Sequence, residues 1–182
     1  MEYVEGNYKE SLLFRRRSIR RFKDQAPEQW RVQAVLEAAM CTQTACNQMP
    51  FELMVVDDRQ LLDRLQSVLP LARLKTAPLA IVVISQRNWK VKTHPCGMFV
   101  QQDLAAVSHQ ICLAATEFGL GACWCGLHPV KLLAAAASKV LGIPSDVMSL
   151  SIIPSGVPDE QKEPNAKWMP DKLHINGYKG KA

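Results

Sequence analysis

The sequence predicts one domain of the α/β or α+β class, in which amphipathic helices alternate with short apolar strands. Three observations lead to this prediction. Apolar residues at helical spacing alternate along the chain with β-branched runs, 182 residues suit a single domain, and 48% of them are apolar, enough for a sizeable core. No internal repeat or low-complexity segment interrupts this pattern, so a repetitive architecture is not expected.

The first half of the chain predicts three helices and two strands. A short helix precedes an arginine-rich stretch, and a second helix has Pro27 in its first turn. The segment CTQTACNQMP lacks periodicity and predicts a loop, which leads into the apolar strand FELMVVD. The stretch DRQLLDRLQSVL predicts a helix capped by Asp57 or Asp58. The continuous apolar run LAIVVIS then predicts a strand that is covered on both faces.

The second half predicts two more helices, two more strands and an arm. Residues 98–118 have an alanine-rich helical pattern, which suits a central helix packed closely against another one. Gly119 and Gly121 end that helix, and ACWCGL predicts a strand. A further helix starts at Pro129 and stops at Gly142, and VMSLSIIPSG predicts the last core strand. From Pro158 onward the polar, proline-containing chain predicts an extended arm without a core of its own.

The composition excludes several classes of function. A net charge of +5 and a pI near 8.9 are too mild for a dedicated nucleic-acid binder. The acidic start MEYVEGNYKE lacks the pattern of a secretory signal, and the longest apolar run, APLAIVVI, is far shorter than the ~20 residues of a membrane helix. We therefore expect a cytoplasmic protein that binds neither membrane nor nucleic acid.

The cysteines and glycines exclude some common cofactor sites. Six cysteines occur, at positions 41, 46, 96, 112, 123 and 125, but no C-x-x-C pair completes a zinc site. We expect no metal, and we interpret the cysteines as free thiols that fill space as small apolar residues. The glycine-rich loops that commonly hold nucleotides are also missing, so any nucleotide cofactor must be held in another way.

The stretch FRRRSIRRF, residues 14–22, has five arginines in nine positions and predicts an anion site. Nucleic acid, an acidic membrane surface and a single phosphate are the candidate anions, and a merely solvated basic loop is the alternative. The cluster is confined to one loop, and Ser18 and Ile19 break the pattern of an amphipathic membrane helix. Because several guanidinium groups can surround one dianion with charge-assisted hydrogen bonds, a phosphate is the favoured ligand.

Four blocks of the sequence together resemble the nitroreductase family of FMN-dependent NAD(P)H oxidoreductases. The blocks are RRRSIRRF, TACNQMPF, DLAAVSHQICLAATEFGLGACWCG and KWMPDKLHINGY, and they span nearly the whole chain in the order that the family shows. The resemblance implies an α+β domain over residues 1–182 with a central mixed sheet flanked by helices. It also implies an intertwined homodimer with FMN at the interface, in which the arm, residues 158–182, reaches the partner subunit.

The resemblance implies which residues bind the phosphate end of FMN. The family's arginine and serine motif holds the phosphate and the ribityl chain, and it corresponds here to Arg16, Arg17, Ser18 and Arg20. Arg15 and Arg21 flank this motif. For each of them two alternatives stay open: contact with the cofactor, or exposure to solvent. A basic residue of the family's C-terminal arm returns to the phosphate, and it corresponds to Lys167.

The resemblance also implies which residues lie beside the flavin ring. One loop lies next to the flavin of the partner subunit, and it corresponds to Thr44, Ala45, Cys46 and Asn47. Backbone donors toward N5 and O4 of the ring correspond to Cys125 and Gly126. The chain departs from the family at Met49 and Phe51, where glutamine and tryptophan are usual, which leaves the substrate range open.

The implied activity is transfer of hydride from NADH or NADPH through the flavin to a flat electrophile, namely a nitroaromatic, a quinone or a flavin. Such a ping-pong reaction takes place at N5 of FMN and needs no catalytic side chain. Two alternatives stay open: a flavin-binding protein of the same fold without reductase turnover, and a flavin-dependent cleavage or dehalogenation enzyme with residues 85–97 as a small lid. A reactive role for Cys46 or Cys125 is a weaker interpretation than space filling, since the sequence shows no base to form a thiolate.

Overall fold

The computed structural model describes residues 10–89, 95–164 and 167–178. Over these residues the helices are α1 (Leu12–Arg15), α2 (Gln29–Met40), α3 (Arg59–Val68), α4 (Val100–Glu117) and α5 (Lys131–Leu141). The strands are β1 (Phe51–Val56), β2 (Leu79–Ser85), β3 (Gly121–Ala122), β4 (Cys125–Gly126) and β5 (Ser149–Gly156). Short 3₁₀ turns occupy Ala45–Asn47, Pro95–Phe99 and Pro170–Lys172.

The strands form one sheet in the order β1-β2-β5-β3, and β4 also pairs with β5. Each of these pairings is antiparallel, as between β1 and β2, where the register runs from Phe51 opposite Ser85 to Val56 opposite Ala80. Within the described chain, parallel pairing is limited to an isolated bridge between Ser18 and Ala122. The predicted α+β class is confirmed. A mixed sheet was expected, and within the described chain this bridge is its sole parallel element.

The buried strand β2 divides the core into two layers, one on each face of the sheet. Successive side chains of a strand point to opposite faces, so alternate residues of β2 enter different layers. Ile81 and Val83 pack with α2 and α4, whereas Val82 and Ile84 pack with α3 and α5. All of β2 is buried, as its continuous apolar run predicts.

The predicted helices are all present, with small differences at their starts. Both prolines lie two residues ahead of the helices that they were expected to begin, because α2 starts at Gln29 and α5 at Lys131. Asp58 is the cap of α3, and its carboxylate accepts a 2.7 Å hydrogen bond from the backbone N–H of Leu61. Gly142 ends α5 in the left-handed conformation, with φ of 67°, as predicted.

The expected strand ACWCGL is interrupted. It forms the two-residue strands β3 and β4, both paired with β5, and the residues between them lie outside either strand. The backbone N–H of Cys123 donates to the carbonyl of Pro154 at 3.2 Å, so the chain stays attached to β5 across the interruption. The short sequence pattern could not show this break, because side-chain alternation continues through it.

The arm begins with an antiparallel bridge between Phe22 and Pro158 and then leaves the sheet. Its described part contains one 3₁₀ turn and otherwise neither helix nor strand, as the sequence predicts. Residues 1–9, 90–94, 165–166 and 179–182 lie outside the described residues, and 90–94 form the middle of the expected lid. Among those that are described, none of the helices has the length and apolar character required to cross a membrane.

Replacing Asp58 with alanine is expected to lower the free energy of unfolding by about 1 kcal/mol, because the first turn of α3 loses its side-chain acceptor. Urea denaturation measures the change. Asp57→Ala is the matched control, since it removes the same charge one residue earlier without removing the cap. Equal effects of the two substitutions would show that charge, and not capping, is the cause.

Candidate functional site

The arginine segment, residues 14–22, leaves α1 and lies directly against β3. Ser18 forms the parallel bridge to Ala122, and the backbone N–H of Ile19 donates to the Ala122 carbonyl at 3.0 Å. A Cβ on Gly121 would lie only 2.6 Å from Cγ2 of Ile19, so the absence of a side chain at Gly121 permits this approach. The arginines are thereby placed next to the strand that precedes Cys125.

The start of the arm pairs with the other end of the arginine segment. The backbone N–H of Lys23 donates to the carbonyl of Val157 at 2.9 Å, and that of Asp159 donates to the carbonyl of Arg21 at 3.0 Å. These two bonds join parts of the chain that are far apart in sequence. They bring the charged residues after Asp159 alongside the arginines.

Glu160 is the acidic residue that holds this region together. Its carboxylate accepts a 2.5 Å hydrogen bond from the backbone N–H of Arg20 and lies 3.0 Å from Nζ of Lys162 and 3.8 Å from Nε of Arg21. Its side chain is only 12% exposed. Desolvation raises the pKa of Glu160, but the Arg20 N–H and the Lys162 ammonium together hold that pKa below its usual range. Glu160 is therefore a carboxylate at neutral pH.

Lys162 is a member of the site that sequence reasoning missed. Its Nζ donates to the carbonyl of Ser18 at 2.6 Å, and the guanidinium of Arg17 donates to the carbonyl of Glu163. No local pattern distinguishes Lys162 from the other lysines of the arm, since its neighbours in space come from the start of the chain. Lys167 lies exposed on the arm, and its contact with a phosphate stays a prediction.

Arg16 and Arg20 keep their guanidinium groups clear of carboxylates. Arg16 is half-buried, and its charge acts on the nearby thiol of Cys112. The Arg20 side chain is exposed and makes one long hydrogen bond, 3.4 Å, to the carbonyl of Ser18. Across the described ranges no carboxylate oxygen lies within 4 Å of either guanidinium, so most of their N–H donors can bind an added anion.

Arg20 lies at the wall of a cleft of about 300 Å³, called here the Arg20 cleft. Cys125 and Gly126 form part of its wall, so the structure brings Arg20 of the predicted phosphate site together with the two residues predicted beside the ring, whereas Arg16, Arg17 and Ser18 do not line this cleft. A Cβ on Gly126 would meet nothing closer than the His128 carbonyl at 3.9 Å, so the wall is open there. Residues 69–72 line another side, and the sequence analysis assigned them no role in the site.

The loop at 44–47 is a compact turn stabilised by side chains. The Thr44 hydroxyl accepts a hydrogen bond from the Met49 N–H at 3.0 Å, and the Ala45 N–H donates to Oδ1 of buried Asp103 at 2.9 Å. Three residues of this region adopt left-handed backbone conformations that side chains usually disfavour: Cys46, Asn47 and Met49. Such conformations persist where the surrounding structure enforces them, as these hydrogen bonds do.

This loop and the Arg20 cleft lie against different layers of the core. The loop is bound by Asp103 of α4, and α4 packs on one face of the sheet with α2. The cleft is lined by Leu69, Leu127 and Ile152, which pack on the other face with α3 and α5. The predicted site residues thus form two separate groups within a single chain.

The cysteines do not all behave as free space-filling thiols. Cys46 is disulfide-bonded, so the prediction of a free thiol is wrong at that position. Nothing in the spacing of the cysteines signals this bond, because it depends on which side chains meet in space. The free cysteines of the described chain are Cys41, Cys112, Cys123 and Cys125.

Comparison with known proteins identifies the family. The family model described as "Nitroreductase family" matches residues 13–70 and 67–156. The chain belongs to the nitroreductase family. The predicted family is therefore confirmed, and so is the fold that it implies.

Relatives of this nitroreductase-family chain are similar along most of their length. A protein of Methanothermobacter thermautotrophicus, provisionally named NADH dehydrogenase/NAD(P)H nitroreductase, is 34% identical over 90% of this chain and 84% of its own. The crystal structure of a protein with the same provisional name from Parabacteroides distasonis is 30% identical, covers 95% of this chain and 100% of its own, and has a TM-score of 0.85. An FMN-dependent nitroreductase of Clostridium difficile is 30% identical, covers 92% and 98%, and has a TM-score of 0.82.

Replacing Glu160 with glutamine is expected to destabilise this nitroreductase-family protein at neutral pH, because Arg21 and Lys162 lose their shared carboxylate. The pKa of Glu160 is lower in the folded state than its ordinary value of 4.5. The stabilisation is therefore fully present above pH 4.5 and is lost as the pH falls through the folded pKa.

Denaturant unfolding of both proteins between pH 3 and 8 measures this difference. Glu163→Gln is the control, because the contact of Arg17 at that position uses the backbone carbonyl and not the carboxylate. A difference between wild type and Glu160→Gln that grew as the pH was lowered would contradict the assignment.

Proposed function

We propose that this protein is an FMN-dependent oxidoreductase. It transfers hydride from NADH or NADPH to a flat electrophilic acceptor, namely a nitroaromatic, a quinone or a flavin, in a ping-pong reaction. The observation that carries the proposal is a cleft lined by both Arg20 and the strand Cys125–Gly126, with the arginine segment bridged to Ala122 beside it. The 30% identity to a protein that is named an FMN-dependent nitroreductase supports it.

Arg16, Arg17, Ser18 and Arg20 hold the phosphate end of the cofactor in this proposal. Guanidinium groups present forked N–H donors that match phosphate oxygens, and each charge-assisted hydrogen bond contributes roughly 1.5–3 kcal/mol. Lys162 adds a cation that the sequence did not suggest. Glu160 keeps this crowded positive charge in place without occupying the guanidinium donors of Arg16 or Arg20.

The Arg20 cleft fits the ring end of the same ligand only in part. Its volume of about 300 Å³ lies at the lower end of ligand sites, which are typically ~300–1,000 Å³. Cys125 and Gly126 supply backbone groups at the wall, and Gly126 leaves room for a flat ring to approach. One protomer therefore provides part of a site, and a second surface must complete it.

A second copy of the chain is the proposed source of that surface. The Thr44–Asn47 loop contacts α4 and does not line the cleft of its own chain, and a two-fold axis can place the loop of one copy beside the cleft of the other. The arm carries exposed apolar side chains that a partner would cover: Trp168, Met169, Leu173, Ile175 and Tyr178. The arm thus embraces the partner, and Lys167 reaches a phosphate site.

The protein's own residues bind and position the cofactor, and the redox step needs no acid or base from them. When bound, FMN supplies a ring that accepts hydride at N5 and passes it on. The arginines anchor the phosphate, the backbone at Cys125 and Gly126 orients the ring, and the nearby cations favour negative charge on it. The open wall at Gly126 leaves a flat acceptor access to the cleft.

Absorbance of the purified protein tests the proposal directly. A flavin-loaded protein is yellow, with absorbance near ~450 nm, and we expect this band to bleach on addition of NADH or NADPH and to return with a quinone. A yellow protein that does not bleach would instead be a flavin-binding protein without reductase turnover. A colourless protein that takes up no added FMN would overturn the proposal.

The double substitution Arg16→Ala with Arg20→Ala is expected to weaken FMN binding by at least about 100-fold, since two charge-assisted donors are lost. Fluorescence quenching of added FMN measures the dissociation constant. The matched control is Arg64→Ala with Lys75→Ala, which removes the same charge from exposed positions of α3 and the loop after it. Equal weakening by both double variants would mean that net charge alone attracts the cofactor.

A further inference from the structure

Two thiols line the Arg20 cleft, and the proposed function uses neither sulfur. Cys123 and Cys125 are separated by one residue, and alternate side chains of an extended chain share a face. The Cys125 sulfur lies 3.7 Å from the Cys123 carbonyl oxygen, and the two side chains are close enough for each to shift the pKa of the other. The Cys125 sulfur also lies 3.4 Å from the carbonyl of Ala72, but a thiolate is the stronger acceptor for its one proton.

Positive groups from two distant parts of the chain surround Cys123. Arg20 comes from the arginine segment and Lys162 from the arm, and the Ser18 hydroxyl also bonds to the Cys123 sulfur. Glu160 partly balances Lys162, at 3.0 Å from its ammonium. The nearest further thiol, Cys112, stays protonated because burial raises its pKa to about 12.

The two thiols divide the roles of thiolate and proton donor. The hydrogen bond from Cys125 lowers the pKa of Cys123 to about 6; burial opposes this, and the charges of Arg20 and Lys162 assist it. The same hydrogen bond and burial raise the pKa of Cys125 far above its ordinary value. At neutral pH Cys123 is therefore a thiolate and Cys125 a thiol.

We propose that Cys123 and Cys125 form a redox-active dithiol that is oxidised by small hydroperoxides, with Cys123 as the attacking sulfur and Cys125 as the resolving thiol. A low-pKa cysteine next to a second cysteine is the arrangement that favours such oxidation. The proposal does not depend on the flavin chemistry, since the electrons come from the thiols themselves.

The proposed reaction balances in two steps. The Cys123 thiolate attacks one oxygen of the hydroperoxide, an S–O bond forms, the O–O bond breaks, and the released alkoxide takes a proton from water to leave as an alcohol. The Cys125 sulfur then attacks the Cys123 sulfenic acid, an S–S bond forms, and the hydroxyl leaves as water with the Cys125 proton. Two electrons pass from the dithiol to the hydroperoxide.

The geometry favours a small oxidant. Cys123 is only 4% exposed and is reached through a cleft of about 300 Å³, so a protein disulfide has no access to it. Closing the bond requires the two sulfurs to approach to about 2.05 Å. Cys123 lies outside β3 and β4, so a rotation of its side chain breaks none of the pairing of these strands with β5.

Chymotryptic mapping tests the proposal, because cleavage after Trp124 separates the two cysteines. The protein as purified, without NADH or NADPH, is treated with equimolar hydrogen peroxide, its free thiols are alkylated, and it is digested. We expect one disulfide-linked pair of peptides, whose mass is lower by two hydrogens than the summed masses of the two unmodified peptides. Two separate, fully alkylated peptides from the treated protein would overturn the proposal. Flavin absorbance, recorded in parallel, keeps this outcome distinct from loss of the cofactor.

The pH dependence and two variants assign the roles. The oxidation rate of wild type is expected to be half-maximal near pH 6, where Cys123 ionises, and not near the ~8.5 of an ordinary thiol. Cys125→Ala removes the hydrogen-bond donor and the resolving thiol, so the half-maximum moves to higher pH. Its product is then a Cys123 sulfenic acid, which a 1,3-dione traps.

Cys41→Ser is the matched control, because Cys41 is free and exposed but does not line the cleft. We expect this variant to keep the wild-type rate, pH dependence and linked peptides. A wild-type rate that titrates near pH 8.5, or that falls in Cys41→Ser, would contradict the assignment of Cys123 as the attacking sulfur.

Discussion

The candidate site depends on one constraint: several positively charged side chains of the arginine segment must be held close together. Two unit charges 4 Å apart at a protein surface repel by roughly 4 kcal/mol at an effective dielectric constant of 20, so the arginine segment would not gather without a compensating anion. Glu160 supplies that anion from the arm, and backbone bonds to Ala122 and Val157 hold both ends of the segment in place. Cations thus remain close together while the guanidinium groups of Arg16 and Arg20 stay available.

The sheet sets where this charged region lies. β5 pairs with β2 through the core and with β3 and β4 beyond it, so it connects the buried layers to the wall of the Arg20 cleft. The Thr44–Asn47 loop contacts α4, whereas the apolar lining of the cleft belongs to the layer of α3 and α5 on the other face of the sheet. This separation favours a site shared between two copies over a site within one chain.

The cysteines show how one residue type acquires different chemistry from its surroundings. Cys112 is buried among apolar groups and keeps its proton, while Cys123, about as buried, meets two cations and a second thiol and loses its proton. Cys46 is disulfide-bonded, and Cys41 is exposed and free. Burial alone therefore does not decide the state of a thiol; the hydrogen-bond donors and charges that face it do.

The sequence by itself determined the helices, the buried strand β2, a cap of α3 at Asp57 or Asp58 and the family, because each is recorded in local periodicity or in short motifs. It also predicts an anion site at the arginines, since a packed core cannot bury so many guanidinium groups and a solvated surface does not require them at such density. Only the tertiary structure decided the break between β3 and β4, the disulfide at Cys46, and the roles of Glu160, Lys162 and residues 69–72. These features depend on groups that meet across long stretches of chain, and no local pattern encodes which distant side chains become neighbours.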